Sequence, residues 1–145
     1  MAAPSSWRCD GCGTVVAADD GVLAFRTQPH PPYSSGGFMI LHASCLGAVE
    51  AECSTVQLSA CLDRDGLSLL LAFLSAGPGR PDEPGPTVLD MDEFVDVVRR
   101  LHIPFYEPAR PRFDDPPVRH ALRRADRVGP YQSTALRRLA HDRVG

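Results

Sequence analysis

Two short pairs of side chains in this chain have the types and spacing to do chemistry: Cys9-Asp-Gly-Cys12, followed by Gly13, and His42-Ala-Ser-Cys45. A Cys-x-x-Cys turn brings two sulfurs to one side of a tight loop, and a glycine behind it allows a positive φ that lets amide N–H groups point at the thiolates. A His and a Cys three residues apart at a helix start project from one face, so the second pair can complete a tetrahedron. Cys9, Cys12, His42 and Cys45 together make a Cys3His set, for which Zn2+ is the favoured ion because thiolate and imidazole suit it. Four protein ligands leave no vacancy for water or substrate, so one such zinc would be structural. The alternative is three ordinary buried thiols and an incidental imidazole, but two independent pairs with ligand spacing seldom coincide in so short a chain. His30, in Pro29-His30-Pro31-Pro32, is a second candidate for the nitrogen ligand, with His42 favoured by its place at a helix start. Arg8 and Arg26 are the candidates to offset the site's net negative charge.

The elements that must position these ligands are read from alternation and breaks. Thr14 to Ala17 and Val22 to Arg26 alternate around Ala18-Asp-Asp-Gly21, which predicts a β-hairpin. Residues 28–37 hold three prolines and Gly36-Gly37 and read as an irregular loop, and Phe38 to Leu41 as a third strand. From His42 the pattern turns helical to about Cys53. Val56 to Leu62 reads as a short strand. Asp63-Arg-Asp-Gly66 supplies candidate N-caps for a helix over 67–75 that is apolar nearly all round and should be buried. Seven of the eleven residues in 77–87 are Gly or Pro, the composition of a linker. Asp90-x-x-Glu93 then resembles a capping box, with Phe94, Val97, Val98 and Leu101 on one face and Pro104 stopping the helix near His102. After a proline-broken stretch to Pro117, helices are expected over Val118–Val128 and from Thr134 to about Arg143.

Knuckle, hairpin, loop, strand and a helix carrying the second ligand pair resemble a treble-clef zinc finger over residues 7–53, and the CxxC…HxxC order resembles the first finger of LIM domains. The chain departs from that family in two ways: 29 residues separate Cys12 from His42, and no second four-ligand finger follows. The resemblance implies a scaffold that binds nucleic acid or protein and occasionally serves enzymes, with Cys9, Cys12, His42 and Cys45 as its zinc ligands.

Charge is divided along the chain. Residues 1–109 hold six Arg and fourteen acids, a net of −8, whereas residues 110–145 hold nine Arg and four acids, a net of +5. The formal net charge of −3 is therefore a cancellation between an acidic body and a basic tail. Residues 117–139 faintly resemble a helix-turn-helix with Gly129 in the turn. Arg119, Arg123 and Arg127 recur every four residues as a stripe that could follow phosphates, joined by Arg124, Arg137 and Arg138. A solvated basic face, or docking of the tail on the acidic body, are the competing readings. His102, His120 and His141, in or near Arg-rich helices, are expected to be solvated, and Cys53 and Cys61 to be small core residues.

With 145 residues, 43% hydrophobic and 23% charged, one domain or a small domain with an appendage is expected. The complete absence of Lys reads as genome base composition. No apolar run approaches the about 20 residues of a membrane span. The start of the chain has no secretory character, and an odd number of cysteines argues against a disulfide framework, so a cytoplasmic protein is expected. No Ser/His/Asp order, paired-carboxylate pattern, P-loop or dinucleotide fingerprint is present, which argues against an enzyme.

The expected architecture is α+β, with a zinc module over 7–76, a linker over 77–87 and a helical, Arg-rich region over 88–145. The expected function is a non-enzymatic zinc-stabilised regulator that binds DNA or RNA through its tail. The alternative is a protein-interaction adaptor that uses the proline-rich loop around Tyr33 and an exposed strand edge.

Overall fold

The computed structural model describes residues 3–49, 52–79 and 87–141. Its architecture is mixed: small antiparallel sheets and a Cys/His cluster in the N-terminal part, then mainly helices. The chain divides into two compact units, Ser5–His102 and Ile103–Gly145, the latter joined by Met1–Pro4. The expected linker over 77–87 falls largely on residues 80–86, which lie outside the described residues.

In the first unit, β1 (Ser6–Arg8) pairs antiparallel with β2 (Val15–Ala17), placing Trp7 opposite Val16. A separate three-stranded sheet has β3 (Gly21–Thr27) between β4 (Ser35–His42) and β5 (Ser54–Gln57). The expected hairpin of 14–17 with 22–26 does not form. The turn at 18–20 passes the chain from one sheet to the other instead, and at its end Gly21 packs so tightly that a Cβ there would stand 2.7 Å from the Leu58 side chain. Strand β3 is buried over its first five residues because it is central, whereas the sequence pattern suggests a half-exposed hairpin arm.

The segment after β4 also departs from expectation. A single 3-10 helix, Ala43–Ala48, replaces the helix expected to run to about Cys53, and Gly47 inside it disfavours extension. The strand expected over 56–62 is β5 followed by a 3-10 turn, Leu58–Cys61. Helix α1 (Asp63–Leu71) begins earlier than predicted, so Asp63 and Asp65 lie in its first turn and make no side-chain cap. It is not buried all round: Leu70 faces the core, while Leu67, Leu71 and the following Leu74 are exposed. Gly66 touches the backbone of Cys61 so closely that a Cβ would lie 2.0 Å from its carbonyl carbon, which fixes where α1 can start.

Helix α2 (Met91–His102) forms as the capping signal predicts, with Asp90 accepting the Glu93 N–H at 3.1 Å. The Glu93 carboxylate does not return the bond as in a capping box but accepts the Phe38 N–H of β4 at 2.8 Å. Phe94, Val97 and Leu101 are buried, and Phe25, Phe38, Phe73 and Phe94 form an aromatic cluster with ring centroids 4.9 to 5.8 Å apart. Helix α2 thus belongs to the same unit as the sheets.

In the second unit the proline-broken stretch is itself helical: α3 (Tyr106–Ala109) and a 3-10 helix, Arg110–Asp114, precede α4 (Pro116–Arg124) and α5 (Ser133–His141). Its core is small, built on Tyr106, Ala109 and Leu136, with Phe105, Phe113, Tyr131 and Leu139 packed around them. Helix α4 stops four residues before Val128. The Asp126 carboxylate accepts the backbone N–H groups of Val128 and Gly129 at 2.8 and 2.6 Å, a local turn that outcompetes helix propagation. These two bonds hold the Asp126 carboxyl below its ordinary pKa.

Candidate metal centre

The loop between β1 and β2 carries the first ligand pair. Cys9 donates its N–H to the Thr14 carbonyl at 2.8 Å, and Gly13 donates to the Cys9 carbonyl at 2.9 Å with φ of 77°, the left-handed turn that favours glycine there. The second pair arrives from elsewhere: His42 is the last residue of β4, and Cys45 sits in the 3-10 helix that follows. The sulfurs of Cys9, Cys12 and Cys45 and a nitrogen of His42 all lie within 4.8 Å of one another. A zinc tetrahedron with about 2.3 Å bonds to sulfur has edges of about 3.8 Å, so the four atoms fit a Cys3His site for one metal ion. His30 is not a member of this group; it lies in an exposed turn that includes the cis Pro31–Pro32 peptide.

The surroundings fix the His42 tautomer and favour the thiolates of Cys9 and Cys12, while they oppose ionisation of Cys45. His42 Nε2 is 2.9 Å from the Val15 carbonyl, which can only accept, so Nε2 carries the proton and Nδ1 is left to coordinate. Nδ1 in turn lies 3.3 Å from the Cys12 sulfur and 3.8 Å from the Cys45 sulfur. Burial pushes the Cys9 thiol up, but backbone N–H groups of Cys12, His42 and Gly11 together outweigh it and hold Cys9 down to about 6. The Thr14 hydroxyl, 3.0 Å away, lowers Cys12. Burial, with Cys9 and Cys12 as neighbours, pushes Cys45 up to about 11, and the Cys9 sulfur raises His42. A metal ion binding here would have to displace a proton from Cys45.

Behind the site stands a second layer of contacts that sequence reasoning missed. Asp10, inside the Cys-x-x-Cys turn, donates its N–H to the Ile40 carbonyl and accepts the Ile40 N–H on Oδ2, both at 2.8 Å. The same Oδ2 accepts from Arg100 of α2 at 2.7 Å, and Arg100 also donates to the Arg8 carbonyl at 2.9 Å. Arg100 is only 2% exposed, and its own carbonyl accepts the Trp7 indole N–H at 2.8 Å. The available signal was position: Arg100 stands three residues after buried Val97, on the apolar face of α2. Its neighbour Arg99 and the Arg-rich composition make it look solvated.

The outward edge of β4 is consumed residue by residue. Besides Glu93 on Phe38 and Asp10 on Ile40, the Cys9 sulfur accepts the His42 N–H at 3.4 Å, and Ser35 exchanges backbone bonds with Thr87 and Leu89. His102, expected in solvent, is half-buried with Nε2 donating to the Cys61 carbonyl at 2.8 Å. Cys61 is fully buried and Cys53 half-buried, as small core residues should be.

The arginine stripe is redistributed. Arg127 lies beyond the end of α4, so Arg119, Arg123 and Arg127 do not share one helix, and Arg119 pairs with Asp114 at 2.9 Å. Arg123, Arg124, Arg127, Arg137 and Arg138 are exposed, with the Arg137 guanidinium 5.8 Å from the centre of the Phe105 ring. No helix among the described residues is long and apolar enough to cross a membrane. No family model, curated protein or solved structure matches this chain.

Proposed function

We propose that this chain is a non-enzymatic binding protein, stabilised by a structural zinc in a treble-clef-like finger, that engages DNA or RNA through the phosphate backbone with its C-terminal unit. The zinc reading rests on the convergence of Cys9, Cys12, His42 and Cys45. Where a treble clef carries an α-helix, this chain has a short 3-10 turn, so the finger serves as scaffold and the reading surface lies elsewhere.

The observation that carries the nucleic-acid reading is the outer face of α5. Thr134, Arg137, Arg138 and His141 lie at i, i+3, i+4 and i+7 and share one surface, while Leu136 points into the core. No acid occurs within α5, so phosphates would meet an uninterrupted row of donors there. Arg123 and Arg124 at the end of α4 extend the basic field, and Arg137 is held in place by Phe105.

Titration of a short mixed-sequence duplex and the matching single strand with zinc-loaded protein, over a series of salt concentrations, tests this. Affinity should fall steeply with salt, and Arg137→Ala with Arg138→Ala should reduce the logarithmic salt slope by about two. A flat salt response in the parent would sink the proposal.

A further inference from the structure

The C-terminal unit has a second surface of different character. Between α4, the turn after it and α5 runs an open groove of about 530 Å³, lined mainly by Val118, Ala121, Leu122, Pro130, Ala135 and Leu139. Arg138 and Asp126 are the charged residues in its wall, and the Asp126 carboxylate is turned to the backbone N–H groups of Val128 and Gly129. Phosphates gain nothing from such a lining, whereas apolar side chains gain by burial. The dimensions and the two flanking helices suit a third helix laid into the groove.

Charge decides what kind of helix. The three acids of residues 110–141 are all engaged within the unit: Asp114 by Arg119 at 2.9 Å, Asp115 by Arg112 at 2.6 Å, and Asp126 by backbone N–H groups. Arg123, Arg124 and Arg138, on the helices that wall the groove, are exposed and set its rim positive. The geometry points to a docking site for an acidic amphipathic helix of a partner protein, its leucine-like stripe in the groove and its carboxylates toward these arginines. This site shares Arg123, Arg124 and Arg138 with the basic field proposed for phosphates, but its apolar lining lies apart from the α5 face formed by Thr134, Arg137 and His141.

The probe is a fluorescent synthetic peptide about four turns long, with leucines at i, i+3, i+4 and i+7 and glutamates beside them. It is titrated with the zinc-loaded full chain in the absence of nucleic acid. Saturable binding should weaken at least about tenfold in Ala121→Gln, which fills the groove from an exposed helix position, and similarly when the peptide glutamates become lysines. Duplex binding by Ala121→Gln should stay at the parental level, which keeps failure of this site separate from failure of the nucleic-acid reading. The proposal is overturned if the peptide binds no better than its scrambled version, or if Ala121→Gln binds it as the parent does. Concentration-dependent self-association that Ala121→Gln abolishes would also overturn it, because the occupant would then be a second copy of this chain.

Discussion

The two units solve the problem of stability differently. In Ser5–His102 a broad core is reinforced from outside by directional contacts: a four-ligand cluster, a buried Arg100 and a sheet edge closed by side chains. In Ile103–Gly145 the core among the described residues is three buried residues with a ring of half-buried aromatics around them. The first arrangement fixes one geometry, because breaking any directional contact strands a polar partner. The second tolerates adjustment, which suits a surface that has to fit a ligand. The charge division falls close to the same line, the acidic body matching the first unit and the basic tail lying in the second.

The sharpest way to break this contrast is to remove the metal. Structural zinc contributes on the order of 10 kcal/mol to small modules, so chelation or Cys45→Ser should unfold the first unit. Trp7, the single tryptophan, is buried there and should shift its emission to the red, while the helical signal of α4 and α5 persists. Equal loss of both signals would show that the units are not independent.

Leu136→Ala is the converse experiment. It removes one of the three buried core residues among the described residues of the second unit and should cost about 3 kcal/mol there. Zinc content and Trp7 emission should stay unchanged.

A smaller effect, about 2 kcal/mol, is expected for Arg100→Met, since Asp10 keeps partial access to water (24% exposed) and can be rehydrated in part. Zinc affinity measured against a competing chelator should fall with it, because Asp10 positions the Cys-x-x-Cys turn. Asp10→Asn, which retains the acceptor oxygen for Ile40, should lose less. An unchanged affinity in Arg100→Met would mean that the knuckle holds its shape without α2.

Much of the ligand set was legible because coordination chemistry constrains residue type and spacing together, and both survive in one dimension. Helix α2 was legible for a similar reason, its cap and its stop being local. What failed was whatever depends on partners distant in sequence. The first hairpin was assigned to 14–17 with 22–26, whereas the knuckle itself joins β1 to β2, because a three-residue strand such as Ser6–Arg8 carries almost no periodicity. The role of Arg100 was invisible because its partner lies 90 residues away. Leu67 and Leu71 were expected in the core, since an apolar run says that some face is buried without saying that all are. In the tail, Gly129 reads correctly as a turn, but the arginine period runs across Asp126 and masks the earlier break that its carboxylate makes.

The closed edge of β4 carries a consequence for the protein's behaviour when the Cys/His cluster is disrupted. A strand whose outward N–H groups are already taken cannot recruit a foreign strand, and here one of the acceptors, the Cys9 sulfur, is itself a member of the metal cluster. Loss of an ion held there would free that sulfur to oxidise and uncover the His42 end of the edge together with the apolar residues beside it. If the cluster holds an ion, metal starvation would therefore be felt first as a tendency to aggregate, and the ion would be as much a guard of solubility as a brace for the fold.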